Sequence, residues 1–187
     1  MKSFTPTKLA QAAMIAALYA GLTLAIPFLS YGQVQIRFAE ALTLLAVFSP
    51  VSIYGLTVGC FIANGVGFFM GVNILGAFDM LFGTLATLIA AVLSYALRGA
   101  RIGRLPVLSA LSPVLINALV IGGELSVLFT NSLAPAPFFT NAAYVAIGQT
   151  IPCLVLGLGL VVALEKTGLA RKIFGADAQS IPERQRA

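Results

Sequence analysis

Apolar residues fill long, nearly continuous runs over residues 8–164, separated by short polar or proline-containing breaks. A helix that crosses a bilayer takes ~20 mostly apolar residues, and that length divides the runs into six predicted spans. The first covers about residues 8–27. The stretch 38–72 is too long for one crossing and short for two. Ser49-Pro50 interrupts it, because proline lacks the amide donor a helix interior needs, so a short second helix and a full third are expected. The fourth, fifth and sixth spans fall at about 76–97, 107–129 and 141–164. The first span is too long for a cleaved leader and runs into further helices, so it is expected to be retained. The reading is an all-α integral membrane protein with a six-helix membrane domain, residues 1–165, and a polar cytoplasmic tail, residues 166–187.

Composition supports the same class. Hydrophobic residues make up 59% of the chain and charged residues 9%, with a mean hydropathy of +1.00, whereas soluble domains carry ~25% charged residues. Orientation follows from the cations. Lys2, Lys8, Arg98, Arg101, Arg104, Lys166, Arg171, Lys172, Arg184 and Arg186 fall on one side of the six-span layout and only Arg37 on the other. The basic side is the cytoplasmic one, so both termini are expected inside. The same asymmetry accounts for the basic pI of about 9.6, and the charge run of the tail reads as a topology signal rather than a nucleic-acid site. Cys60 and Cys153 both lie in apolar stretches and form no disulfide or metal pattern.

Against this background the acidic residues stand out. Glu40, Asp79 and Glu124 sit within apolar stretches near the same, outer end of their spans. Such depth is costly for charge and marks a ligand or ion site by default, although side chains near a helix end can also snorkel to the interface. Arg37 and Glu40, three residues apart, can share a face and pair. Asn64 and Asn141 are placed at the same level, and Asn117 stands two turns from Glu124 on its helix. One cation against three carboxylates leaves the region acidic, which suits a cation or a ligand rich in hydrogen-bond donors. Tyr31, Phe38, Phe68, Phe69, Phe78, Phe82 and Tyr144 are candidates to sandwich a flat ring.

The sequence has no histidine, which removes histidine-based acid–base catalysis and histidine metal sites. No nucleophile–base pair can be named, so an enzyme is not expected. No phosphate-binding G-x-x-x-x-G-K-[ST] loop is present, so any use of ATP falls to another polypeptide. Two other classes stay open: a secondary transporter coupled to protons through Glu40, Asp79 or Glu124, and a structural membrane protein. The first helix carries two stripes of small residues, Ala12/Ala16/Ala20 and Ala13/Ala17/Gly21, and the third repeats the device with Gly55/Gly59 and Gly67/Gly71. Such stripes let helices approach closely in lipid, within the protein or against a partner.

Four segments in order, Val34-Gln-Ile-Arg-Phe-Ala-Glu-Ala-Leu-Thr43, Gly59-Cys-Phe-Ile-Ala-Asn64, Asp79-Met-Leu-Phe-Gly-Thr-Leu-Ala-Thr87 and Asn117-Ala-Leu-Val-Ile-Gly-Gly-Glu124, resemble the QueT family. These are substrate-binding S-components of energy-coupling factor (ECF) transporters, assigned to queuosine precursors, and the resemblance covers roughly residues 8–164. It implies a six-helix S-component in a prokaryotic cell membrane, both termini cytoplasmic, with no cofactor of its own. Its implied partners are a membrane-embedded coupling subunit and two ATPase subunits that use ATP, the former meeting an alanine face formed by Ala12 and Ala16 or by Ala13 and Ala17. The loop 29–36, with Tyr31, Gln33 and Gln35, is the implied lid. The implied ligand is a 7-deazaguanine, preQ1 or queuine, whose ring N–H and amine one carboxylate can accept together. Glu124 is the first choice for that role and Asp79 the second. Asn64, Asn117 and Gln149 are assigned to the carbonyl and remaining ring donor, a second carboxylate to the aminomethyl cation, and Arg37 to orienting Glu40 and holding the lid.

Overall fold

The structure, a computed structural model, describes residues 5–179. Lys2, Arg184 and Arg186 lie outside them. Along the chain come α1 (Pro6–Ala25), the single turn α2 (Pro27–Ser30), a 3-10 helix (Phe38–Val47), α3 (Val51–Phe69), α4 (Phe78–Ala96), α5 (Val107–Thr130), α6 (Pro135–Thr150), a π-helical segment (Ile151–Gly157), α7 (Leu158–Lys166), α8 (Leu169–Phe174) and α9 (Ala176–Gln179). The local sequence sets several of these limits. Thr5 caps α1, its hydroxyl oxygen accepting from the Lys8 amide, with Pro6 in the first turn where no donor is needed. Asn131 closes α5 in the left-handed conformation, φ 49°.

Five stretches are long and apolar enough to cross a membrane: α1, α3, α4, α5 and the continuous helix Pro135–Lys166. That last helix starts earlier than the sequence suggests. Pro135 opens it, and Ser132 accepts from the Ala134 amide just before, so Asn141 sits in its second turn instead of at its start. Within it, Pro152 has no amide to donate and its ring would crowd the preceding turn, and the helix widens to π geometry around it.

The expected short second helix is present but wound as a 3-10 helix. At ~2.0 Å per residue against ~1.5 Å for an α-helix, this tighter winding reaches farther for its length. Most of its residues are buried, including Ala39, Glu40, Thr43 and Leu44, which is where non-α backbone is tolerated at membrane depth. Arg37, just ahead of it, lies beside Asp79, and Ser49, two residues past its end, donates its hydroxyl to Asp177 at 2.9 Å. Asp177 also pairs with Lys8 at 3.4 Å. The first and last described helices therefore meet at one end of the bundle.

Around the outside, Leu9, Met14, Phe61, Leu81, Leu115 and Val155 are exposed, part of an apolar belt far beyond what a water-soluble monomer presents. Inside, α1 lies almost backbone to backbone on α3. A β-carbon on Gly55 would stand 2.7 Å from the Ala12 carbonyl oxygen, and one on Gly59 2.8 Å from that of Ala16. Ala12, Ala16 and Ala20 are buried in this seam, and Ala13, Ala17 and Gly21 face outward.

Residues 169–178, within the expected polar tail, carry buried apolar side chains. Ala170, Phe174 and Ala178 join the hydrophobic core, Phe174 stacks on Phe48 at 6.0 Å, and Gln11 donates to the Ile173 carbonyl. Arg171 and Lys172, whose charge dominates the sequence there, are exposed. Residues 169–178 thus belong to the packed body.

Candidate functional site

Arg37 sits just ahead of the 3-10 helix in extended backbone, φ −93° and ψ 96°. That conformation sends its side chain away from Glu40 and toward α4. The guanidinium is buried, lies 3.4 Å from Asp79 Oδ2, donates to the Ser30 carbonyl at 3.5 Å and stands 5.4 Å from the centre of the Tyr31 ring. Asp79 occupies the first turn of α4, where the helix dipole favours a carboxylate. Its Oδ2 also accepts from Asn73 Nδ2 at 2.8 Å, and its main-chain carbonyl from Asn64 Nδ2 at 2.7 Å. A β-carbon on Gly83 would stand 1.9 Å from Asp79 Oδ1, so glycine there makes room for the carboxylate.

Glu40 has its own hydrogen-bond partners, linked to the Arg37 group through Cys60 Sγ, which contacts both Arg37 and Thr87, and the expected Arg37–Glu40 pairing gives way to Arg37–Asp79. The Glu40 Oε1 accepts from the Tyr19 hydroxyl and from Thr87 at 3.4 Å, and Oε2 from Thr43 at 2.9 Å. Both oxygens are occupied by hydroxyls of the protein, which makes Glu40 a tie between α1, the 3-10 helix and α4. Tyr19, Thr43, Thr87 and Asn73 do not stand out in the sequence, because single hydroxyls and amides are common in helices and loops of membrane proteins.

Glu124 presents the opposite situation. Both of its carboxylate oxygens are buried and neither accepts a hydrogen bond from the protein. Asp79 Oδ1 and Asn64 Oδ1 are likewise buried acceptors without a donor, and the side-chain nitrogens of Gln35 and Gln149 are buried donors without an acceptor. Leaving such groups unpaired costs about 1–3 kcal/mol each, and buried polar groups in folded proteins are nearly always paired. Asn117 is buried on the same helix as Glu124.

The loop 29–36 packs against α3 and α6. Tyr31 is buried, donates to the Ala63 carbonyl at 2.6 Å, and lies on Gly67, where a β-carbon would come within 2.7 Å of its ring. Gln33 donates to Asn141 Oδ1 at 3.0 Å, and Asn141 is held in turn by Ser126 at 3.2 Å. Gln35 is buried, with its main chain packed on Gly148. An open cleft of about 400 Å³ borders Gln33, Phe129, Thr130, Pro137, Thr140 and Asn141. Among the predicted ring partners, Phe68, Phe69, Phe78, Phe82 and Tyr144 point outward and Phe38 is half-buried; Tyr31 alone lies inside.

Buried acceptors without a donor thus occur on α3, α4 and α5, and buried amide donors without an acceptor on the loop and α6. A family model described as QueT transporter matches residues 9–166. No curated protein and no solved structure matches the chain. The family match runs from the first turn of α1 to the end of α7 and takes in every group just described: the chain belongs to the QueT transporter family.

Proposed function

We propose that this transporter is the substrate-capture component of an ECF-type importer and that it binds a 7-deazaguanine, preQ1 or queuine, at its outer end. The observation that carries the reading is the buried Glu124 carboxylate with neither oxygen paired. A 7-deazaguanine offers a ring N–H and an amine side by side, and one carboxylate accepts both. Asp79 Oδ1, its partner oxygen already committed to Arg37 and Asn73, is available for an aminomethyl cation. Asn64 and Asn117 border the ring, and Gln149 serves the carbonyl. Arg37 and Glu40 act behind the site, Arg37 by fixing Asp79 and Glu40 by tying helices together.

Orientation rests on charge. The described cations Lys8, Arg98, Arg101, Arg104, Lys166, Arg171 and Lys172 gather at the end opposite Arg37, and the basic end faces the cytoplasm. Energy would come from two ATPase subunits through a membrane coupling subunit, since the chain has no phosphate-binding loop. The docking face for that subunit is Ala13 and Ala17, which α1 presents outward, while Ala12 and Ala16 are used against α3.

Isothermal calorimetry of the purified chain in detergent tests the reading, with preQ1, queuine, preQ0 and guanine as ligands. Tight one-to-one binding of a 7-deazaguanine is expected. Folded protein that binds none of the four would exclude the substrate class.

A further inference from the structure

Gln33 and Gln35, two residues apart in the lid loop, reach α6 at Asn141 and Gly148, seven residues apart. The loop therefore runs inward along α6 instead of arching over its end. At its inner point the Gln35 main chain is pressed on Gly148: a β-carbon there would be 2.6 Å from the Gln35 carbonyl oxygen and 3.1 Å from its nitrogen. Only glycine at 148 permits this seat. The side chain that the seat carries inward is 1% exposed, and its Nε2 donates to nothing in the protein. The residue after the seat, Gln149, brings a second amide in the same condition, 1% exposed with Nε2 unpaired. Two buried N–H donors at adjoining backbone positions, one on the loop and one on α6, call for a shared acceptor, and a carbonyl oxygen has two lone pairs to offer.

We infer that Gln35 is a ligand-reading residue: with Gln149 it donates to the ring carbonyl of the bound molecule, next to the ring N–H that Glu124 accepts, so that the carbonyl is recognised only when the lid is seated on Gly148. This deepens the proposed function and rests on it. The loop then acts as part of the recognition surface, because an isosteric ligand without a good acceptor would leave both amides buried and unpaired. Discrimination against a ligand that fails to satisfy a buried polar group is the strong form of specificity.

Calorimetry with 7-aminomethyl-7-deazaguanine and its 6-thio counterpart separates the possibilities, since the thio compound keeps the ring N–H and amine that face Glu124 but is a poorer acceptor. The wild-type chain is expected to prefer the oxo compound by about tenfold, the magnitude of one hydrogen bond. In Gln35→Met, which keeps the side-chain length, the preference is expected to fall to about threefold, through weaker binding of the oxo compound, because Gln149 still donates to the carbonyl. Gly148→Ala, which alters no donor, is expected to reduce the same preference by displacing the loop. An unchanged preference in Gln35→Met, or an equal loss for both compounds, would overturn the inference while leaving the proposed function intact. Failure of the folded wild-type chain to bind either compound would overturn both.

Discussion

The Arg37 guanidinium and the Asp79 carboxylate, both buried and 3.4 Å apart, join the start of the 3-10 helix to the start of α4. The same carboxylate oxygen takes Asn73 from the loop between α3 and α4, so one atom anchors two connections at that end of the bundle. Removing one member of a buried pair strands the other charge and costs about 3–5 kcal/mol, whereas replacing both with apolar groups of similar size is often nearly neutral. Asp79→Asn is therefore expected to lower the thermal stability of the detergent-solubilised chain sharply, and Arg37→Met combined with Asp79→Leu to recover most of it. A double variant no more stable than the single one would show that the pair contributes more than charge balance.

Glu40 and Glu124 predict opposite behaviour when each loses its charge. Glu40 has three hydroxyl donors and Glu124 none from the protein. Glu40→Gln is expected to destabilise the fold by about 1–3 kcal/mol, the worth of charged hydrogen bonds, with 7-deazaguanine affinity kept within about twofold. Glu124→Gln is expected to leave the fold as stable as before or more so, and to weaken binding by about 2 kcal/mol, or roughly 30-fold. Thermal unfolding and calorimetry on the same preparations read both quantities, and equal affinity losses in the two variants would contradict the division of roles.

Much of this was legible in the sequence. Long apolar helices, the Ser49-Pro50 break and the burial of Glu40 and Asp79 each depend on composition along a short window, and each is found in the fold. What was not legible depends on contacts between distant residues. The three-residue spacing of Arg37 and Glu40 suggested a local pair, yet Arg37 finds its partner 42 residues away, because the extended backbone at Arg37 turns its side chain off the helix. Composition cannot distinguish a buried 3-10 helix from an α-helix. Both small-residue stripes of α1 look alike until Gly55 and Gly59 select one of them. In residues 169–178 the exposed charges masked Phe174, whose burial comes from Phe48 more than a hundred positions earlier.

Tyr31 lies in the loop and carries a pH signature. Its burial, more than any neighbouring charge, pushes the phenol up from 10.0 to about 12. A raised value in the folded chain means that the neutral phenol is favoured by folding, so its contribution to stability is complete below pH 10 and is lost as the pH rises toward 12. Tyr31→Phe lacks the titrating group and the bond to the Ala63 carbonyl, at a cost of about 1 kcal/mol. The gap in stability between wild type and Tyr31→Phe is expected to narrow over that alkaline interval, with the other titrating groups cancelling in the difference. A gap of constant size across the interval, followed by thermal unfolding, would contradict the seated, hydrogen-bonded position of Tyr31.

The two faces of α1 make the last prediction, because they separate folding from transport. On the inner face there is no space: Gly59 meets both the Ala16 main chain and the Tyr19 side chain at less than 3.0 Å for a built β-carbon. Gly59→Leu must push α1 off α3 and disturb Tyr19, hence Glu40, so loss of folded protein or of several kcal/mol is expected. On the outer face Ala17 is exposed, and a bulky residue meets no part of the chain itself. Ala17→Trp is expected to keep its thermal stability and its affinity for a 7-deazaguanine while abolishing uptake by cells that supply the coupling subunit and ATPases. Retained uptake would remove this face as the docking surface. Lost binding would mean that the outer stripe supports the site from within, which the separation of the two alanine stripes on α1 does not allow.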